Sequence, residues 1–304
     1  MISYTDSIIL LAILEDLYEY VDIPHIFSNL MTTDLNKGLF ELIPDLNERD
    51  LSTNSLSQGK LKAKIIAKEA GILSGIKRCK RVFEILDPNL NIKTIVEDGK
   101  EVSKRDTLIE IEGNSKAILI GERVALNYLS NLSGVATNVN KFVGKISQTG
   151  CKILDSRKTI PNLRKFQKEA VMHGGGYNYR DGLWDMVMLK DNHLDMAGDL
   201  EKTTSKAKKL YGDKFTIVVE TRNLSEVKEA LKSRADRIML DNFELPEIRD
   251  ALTIIKGKKE TEVSGGVNLD NILPIALTGV DYISIGGQLT MSAPALDLSM
   301  IICK

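Results

Sequence analysis

Beyond residue 150 the chain alternates short apolar runs with longer amphipathic ones in a regular beat. Residues 152–155, 185–189, 215–219, 237–240, 261–263 and 282–285 are short and β-prone. Residues 162–172, 200–211, 224–231, 245–255 and 269–277, which lie between them, carry helical periodicity. Strand and helix in alternation with short loops predict a parallel sheet, either closed into a barrel or open and doubly wound. The earlier chain has a different rhythm. Its first roughly 45 residues predict helices punctuated by Pro24 and Pro44, whose apolar side chains are expected to pack on the rest of the chain or on a partner subunit. Residues 62–67, 92–96 and 107–111, separated by turn signals such as Asp98-Gly99, then predict a small α+β unit. A long amphipathic helix over about 116–130, running towards Gly134, is expected to link the halves. The predicted domains are 1–115 and 116–304.

The 41 Lys and Arg against 42 Asp and Glu leave a net charge of −1, so no global field gathers nucleic acid or an anionic membrane, and an anion site must be built locally. Cys79, Cys151 and Cys303 form no C-x-x-C pair, which argues against a zinc site and a disulfide framework and for a reducing, cytoplasmic compartment. The apolar run 8–14 is too short to span a bilayer and lacks the basic start and small-residue cleavage site of a signal peptide.

Each apolar strand ends in side chains a catalyst can use: Asp155-Ser156-Arg157-Lys158, Lys190-Asp191-Asn192-His193, Glu220, Asp241-Asn242, Ser264-Gly265-Gly266 and Gly286-Gly287. In a barrel of parallel strands these ends converge on one mouth. Arg157, Lys158, Arg180 and Lys190 predict a cationic pocket for a planar carboxylate. Glu220 and Asp241 suit Mg2+ coordination, ribose contacts or stabilisation of a cationic transition state, although Asp241 is also placed to cap the following helix. Ser264-Gly265-Gly266 and Gly286-Gly287 predict a phosphate clamp late in the repeat. Gly174-Gly175-Gly176 is expected to form a mobile loop over the mouth. His25, His173 and His193 lack metal-site spacing and are expected to be structural. Trp184 is expected to be packed. Rossmann, nucleophile-elbow and Walker patterns do not occur.

Residues 154–164, running Leu154-Asp155-Ser156-Arg157-Lys158-Thr159-Ile160-Pro161-Asn162-Leu163-Arg164, together with Gly174-Gly175-Gly176-Tyr177-Asn178-Tyr179-Arg180 and Leu189-Lys190-Asp191-Asn192-His193, resemble the core motifs of quinolinate phosphoribosyltransferases. So do Met239-Leu240-Asp241-Asn242, Ser264-Gly265-Gly266 and Ser292-Ala293-Pro294-Ala295-Leu296-Asp297, in order along the chain from about residue 50. The resemblance implies an α/β fold: an N-terminal α/β sandwich domain, here behind a helical extension, plus an incomplete parallel α/β barrel, in a homodimer or higher homo-oligomer. It implies a Mg2+-dependent transfer in which quinolinate displaces pyrophosphate from phosphoribosyl pyrophosphate and loses CO2, giving nicotinate mononucleotide on the path to NAD.

The resemblance also implies roles. Lys158, Glu220 and Asp241 match catalytic positions, with Glu220 and Asp241 near ribose and metal. Arg157, Lys158, Tyr179, Arg180 and Lys190 match substrate binders, and Arg123 matches an arginine that reaches into the partner's site. Ser264, Gly265, Gly266, Gly286 and Gly287 fall in the phosphate region. The chain departs from the family pattern where Tyr179 replaces a histidine, where Met291 ends a stretch one residue longer that lacks its histidine, and where Val218 replaces an acidic residue. Tyr179 and Met291 motivate an alternative, a related phosphoribosyltransferase for another aromatic or heteroaromatic acid. A non-catalytic homologue that binds a phosphorylated ligand is disfavoured by the intact Arg157, Lys158, Lys190, Glu220 and Asp241.

Overall fold

The computed structural model describes residues 2–43, 45–57 and 59–303. Pro44, expected as helix punctuation, lies outside them. The chain divides into two compact units, Met1–Thr137 with Pro294–Lys304, and Asn138–Ala293.

The first unit opens with helices α1 (Tyr4–Leu17), α2 (Ile23–Leu30), α3 (Leu39–Leu42), α4 (Leu46–Arg49) and α5 (Leu51–Asn54). Ser3 caps α1 by accepting the Asp6 N–H at 3.0 Å, and Pro24 sits in the first turn of α2, where its missing N–H costs nothing. Next come β1 (Lys60–Ala67), β2 (Gly71–Ile72), α6 (Ile76–Leu86), β3 (Asn91–Thr94), β4 (Glu101–Val102), β5 (Thr107–Asn114) and α7 (Ser115–Lys145). Strands β1 and β5 pair antiparallel and show the period-2 pattern of a sheet buried on one side. Ala63 and Ile65 face Ile111 and Ile109 on the apolar side, whereas Lys62–Glu112 and Lys64–Glu110 form cross-strand ion pairs of 3.2 and 3.1 Å on the other.

Two boundaries differ from the sequence expectation. The last strand, Leu298–Ile302, pairs antiparallel with β1 and completes the four-stranded sheet of the first unit, so residues 116–304 are not one domain. Helix α7 also runs on to Lys145, and the division falls within it at Thr137/Asn138. Gly134 does not stop the helix; the Pro294–Ala295 backbone lies so close that no Cβ fits there.

The second unit contains β6 (Lys152–Leu154), α8 (Arg164–His173), β7 (Val187–Leu189), α9 (Asp191–Ala197), α10 (Leu200–Tyr211) and β8 (Ile217–Thr221). It continues with α11 (Leu224–Lys232), β9 (Arg237–Asp241), α12 (Leu245–Ile255), β10 (Glu260–Ser264), α13 (Ile272–Ala276) and β11 (Tyr282–Ser284). All pairings are parallel, in the order β6-β11-β10-β9-β8-β7, and Tyr177 extends the β6 edge through a parallel bridge to Leu154. The sheet curls on itself, because Leu154 and Tyr179 from one edge join Met188, Val218 and Met239 in a single buried cluster. This is the incomplete barrel.

Residues 174–176 are not a loop over the mouth. They close a tight turn at the end of α8, with Gly174 and Gly176 buried and Gly176 against Val139 and Val171. Because Tyr177 runs parallel to β6, this turn lies at the N-terminal edge of the strands, away from their active ends. Trp184, expected to be packed, is exposed.

Candidate active site

The C-terminal strand ends enclose a cavity of about 790 Å³. Arg157, Lys158, Tyr179, Arg180, Lys190, Glu220, Asp241, Ser264, Gly265, Gly266, Gly286 and Gly287 all border it, so every expected site residue except Arg123 comes together here. Arg123 belongs to α7 in the first unit and is exposed. Ser156, Met188, Met239, Asn242, Ser284 and Gln288 complete much of the wall.

The acidic side is built by neighbouring strands. Glu220, almost fully buried at the end of β8, accepts from Lys190 Nζ at 2.6 Å just past the end of β7. Asp241 ends β9, and its carboxyl is raised above the usual range by burial and then by the charge of Glu220, with Lys190 and Asn242 pulling the other way. Asn242 Nδ2 donates to Asp241 Oδ2 at 2.9 Å. The helix-cap alternative for Asp241 fails, because α12 begins after Glu244, whose N–H donates to Glu247 at 2.9 Å. Asp241 is left to the cavity.

The basic side faces it. The stem of Lys158 lies on Gly286, where a Cβ would meet Lys158 Cδ at 3.2 Å. Thr290 Oγ1 donates to the Lys158 carbonyl at 2.7 Å, and Asn138 Nδ2 pins the same turn through the Gln288 carbonyl at 2.9 Å. Arg157 Nε is buried and makes no hydrogen bond within the chain. Burial and then the Arg157 charge push the Arg180 guanidinium below its ordinary value.

Two local conformations shape the rim. Asn242 adopts φ +58° and Gly265 φ +87°, and the Asn242 side chain approaches Gly265 too closely for a Cβ. His193 is structural, as expected: its Nδ1 accepts the Lys190 N–H at 3.1 Å and sets the turn carrying that lysine.

Tyr179 borders the cavity, but its hydroxyl is buried, with Glu262 and Arg237 as its polar neighbours. The phenol is pushed strongly up by burial and then by Glu262, so it stays protonated. It contributes shape to the pocket rather than a polar tip. Below it lies a charged cluster that inspection of strand ends missed: Arg237 Nη1 reaches Glu262 at 3.3 Å, its Nη2 reaches Glu260 at 2.9 Å, and its Cζ sits 3.8 Å from the Tyr282 ring centroid. The available signal was the alternation of Glu260, Glu262 and Ser264, which puts all three on the inner face of β10.

Among the described residues no three His, Cys, Asp or Glu side chains gather as a metal site. Glu220 and Asp241 alone offer carboxylate oxygens, the hard donors Mg2+ prefers, and two are enough for an ion that keeps its waters and arrives with substrate phosphates. The donor set fits Mg2+ in that mode only.

The profile of the quinolinate phosphoribosyl transferase C-terminal domain matches residues 135–301, and that of the N-terminal domain matches residues 50–133. The chain belongs to this family. It is 38% identical over 267 residues to the probable nicotinate-nucleotide pyrophosphorylase [carboxylating] of Synechocystis sp., covering 86% of this chain and 90% of that protein. It is likewise 38% identical over 259 residues to the probable nicotinate-nucleotide pyrophosphorylase [carboxylating] of Bacillus subtilis, covering 85% and 89%. The solved nicotinate-nucleotide pyrophosphorylase of Francisella tularensis superposes with a TM-score of 0.84 at 34% identity, covering 100% of this chain and 98% of that one. The helical start of this family member thus has a structural counterpart. No helix among its described residues is long and apolar enough to cross a membrane.

Proposed function

We propose that this chain transfers the phosphoribosyl group of phosphoribosyl pyrophosphate to the ring nitrogen of quinolinate, releasing pyrophosphate and CO2 and forming nicotinate mononucleotide. One observation carries it: in a family member, Arg157, Lys158, Arg180 and Lys190 line a single cavity together with Glu220 and Asp241. A dicarboxylate and a sugar that becomes cationic each find a matching wall there.

The chemistry follows from charge. Arg157 and Arg180 hold a carboxylate of the acceptor, and Lys158 and Lys190 add point charges for the remaining anionic groups. As the C1′–O bond breaks and the electron pair leaves with pyrophosphate, positive charge grows on the ribosyl centre, and Glu220 and Asp241 stabilise it. Glu220 and Asp241 would hold Mg2+ together with the substrate phosphates, and the ion would supply charge neutralisation for the leaving group. The pyridine nitrogen forms the new bond to C1′. The resulting pyridinium accepts the electrons freed when the bond to the 2-carboxylate breaks, CO2 departs, and the ring carbon takes up a proton. Ser264, Gly265, Gly266, Gly286 and Gly287 form the phosphate end of the pocket.

The buried Tyr179 hydroxyl favours a second reading, transfer to another aromatic acid that needs no hydrogen bond at that wall. The enzyme acts in the cytoplasm as a homodimer or larger homo-oligomer, with Arg123 completing the site of a partner subunit.

The test is a product assay with Mg2+, phosphoribosyl pyrophosphate and either quinolinate or nicotinate. Quinolinate-dependent release of pyrophosphate, CO2 and mononucleotide together is expected. Folded protein that binds phosphoribosyl pyrophosphate but is silent with quinolinate transfers to a different acceptor.

A further inference from the structure

Arg157 and Arg180 border the same cavity although like charges repel, so something outside the cavity must hold their backbones in place. Asp155 and Lys168 do not border it. Both are buried, and they meet at 2.7 Å between Asp155 Oδ1 and Lys168 Nζ. The same Asp155 oxygen accepts the Tyr179 N–H at 2.8 Å, and Lys168 Nζ also donates to the Tyr179 carbonyl at 3.0 Å. That carbonyl belongs to the peptide unit of Arg180. Asp155 stands two residues before Arg157, and its own N–H donates to the Tyr177 carbonyl at 3.1 Å. Asn178, in the amide orientation that satisfies its neighbours, donates to Asp155 Oδ2 at 2.8 Å and to the Lys168 carbonyl at 2.9 Å. One buried ion pair therefore ties the strand end that carries Arg157 to the segment that carries Arg180.

A buried ion pair is a poor device for stability, since desolvation of both charges offsets much of their attraction, and an apolar pair of similar volume serves as well. It is a good device for direction. Its donors and acceptors fix peptide planes, as outer contacts orient the groups that touch a ligand.

We infer that Asp155 and Lys168 are positioning residues that hold Arg157 and Arg180 side by side as a fork for one carboxylate of the acceptor. This rests on the reading of the chain as a quinolinate phosphoribosyltransferase. Neither residue touches the substrate. Each acts through an arginine whose aim it sets, so loss of the pair spoils acceptor binding while the phosphoribosyl end of the pocket is untouched.

The experiment measures KM for quinolinate, KM for phosphoribosyl pyrophosphate, kcat and thermal stability in the full chain and in D155N, K168M and N178A. D155N keeps a side-chain oxygen for the Tyr179 N–H and drops the charge, while its amide nitrogen replaces the oxygen that accepts from Asn178. Asn178 is exposed, which makes N178A the variant least able to disturb the core. Expected is a rise in quinolinate KM on the order of tenfold or more in D155N and K168M and a smaller rise in N178A. The other two kinetic constants should stay within about twofold. Lowered thermal stability with an unmoved quinolinate KM in D155N and N178A makes the pair merely structural and overturns the inference alone. A wild-type chain that does not turn over quinolinate overturns the underlying reading and the fork with it.

Discussion

Lys190 Nζ and Glu220 Oε2 meet at 2.6 Å across the neighbouring strands β7 and β8, joining the basic and acidic walls of the cavity. Glu220 is almost fully buried, whereas the Lys190 side chain is 44% exposed. In the proposed reaction the pair places a negative charge where the ribosyl cation forms and a positive charge where the acid docks. Glu220→Ala should lower kcat roughly a hundredfold or more, because the lost contact is electrostatic and strongest in the transition state. Steady-state assay at saturating substrates measures this, and unchanged turnover would show that Glu220 does not act on the cation.

Arg123 is exposed on α7, outside the cavity-lining set, yet the family resemblance gives it a binding role. The exposure and the implied role agree if it serves a partner's site. Arg123→Ala and Lys158→Ala homo-oligomers should each be close to inactive, and mixing them should restore activity by assembling some sites with every residue intact. Mixtures with no recovery, in material shown by mass to contain both variants, would place Arg123 outside the site.

Gly265 combines φ +87° with an Asn242 side chain that leaves no room for a Cβ. Gly265→Ala should therefore cost about 1–3 kcal/mol in chemical denaturation and displace Asn242 from Asp241. The KM for phosphoribosyl pyrophosphate should rise more than that for quinolinate, since the proposed function puts the displaced groups on the phosphoribosyl side.

Much of this site is legible in the sequence because strand ends in a β/α repeat converge, which assigns Lys158, Lys190, Glu220 and Asp241 to one mouth. What was not legible depended on distant partners. Lys168, in an amphipathic helix, looks like a solvated surface charge until Asp155 is found beneath it. Gly134 and the strand Leu298–Ile302 take their meaning from contacts with chain far away in sequence, about which local pattern is silent. The three glycines 174–176 suggested mobility, but absence of a Cβ also permits close packing, and here packing against Val139 and Val171 is the reason.

The Arg237 cluster beneath Tyr179 tests stability rather than chemistry. Glu262 is fully buried and depends on Arg237 for charge compensation, while burial raises its carboxyl above the ordinary range. Removing the guanidinium strands that carboxylate. Arg237→Met should lose roughly 3–5 kcal/mol, the usual cost of breaking one side of a buried pair. Denaturant titration gives the number, and the double variant Arg237→Met with Glu262→Gln should recover part of the loss by removing the stranded charge.

The Asp155–Lys168 pair also predicts a pH dependence with a definite sign. Burial pushes the Asp155 carboxyl up to about 6, above its ordinary 3.8, against the opposing pull of Lys168 and the Tyr179 N–H; Asp181, the other charge facing it, adds to the rise. The carboxylate is thus ionised above about 6 and protonated below, so the ionic clamp on Tyr179 and Arg180 is complete at neutral pH and weakens on acidification. The quinolinate KM of the wild-type chain should rise as pH falls from 7 to 5, with a midpoint near 6. Titration of quinolinate itself contributes equally to both proteins, so the ratio of wild-type to D155N KM isolates the effect. That ratio should be smallest at neutral pH and climb towards one on acidification, as the wild type loses the charge the variant never had. A ratio that stays flat over the range would mean that the charge of Asp155 does not govern acceptor binding.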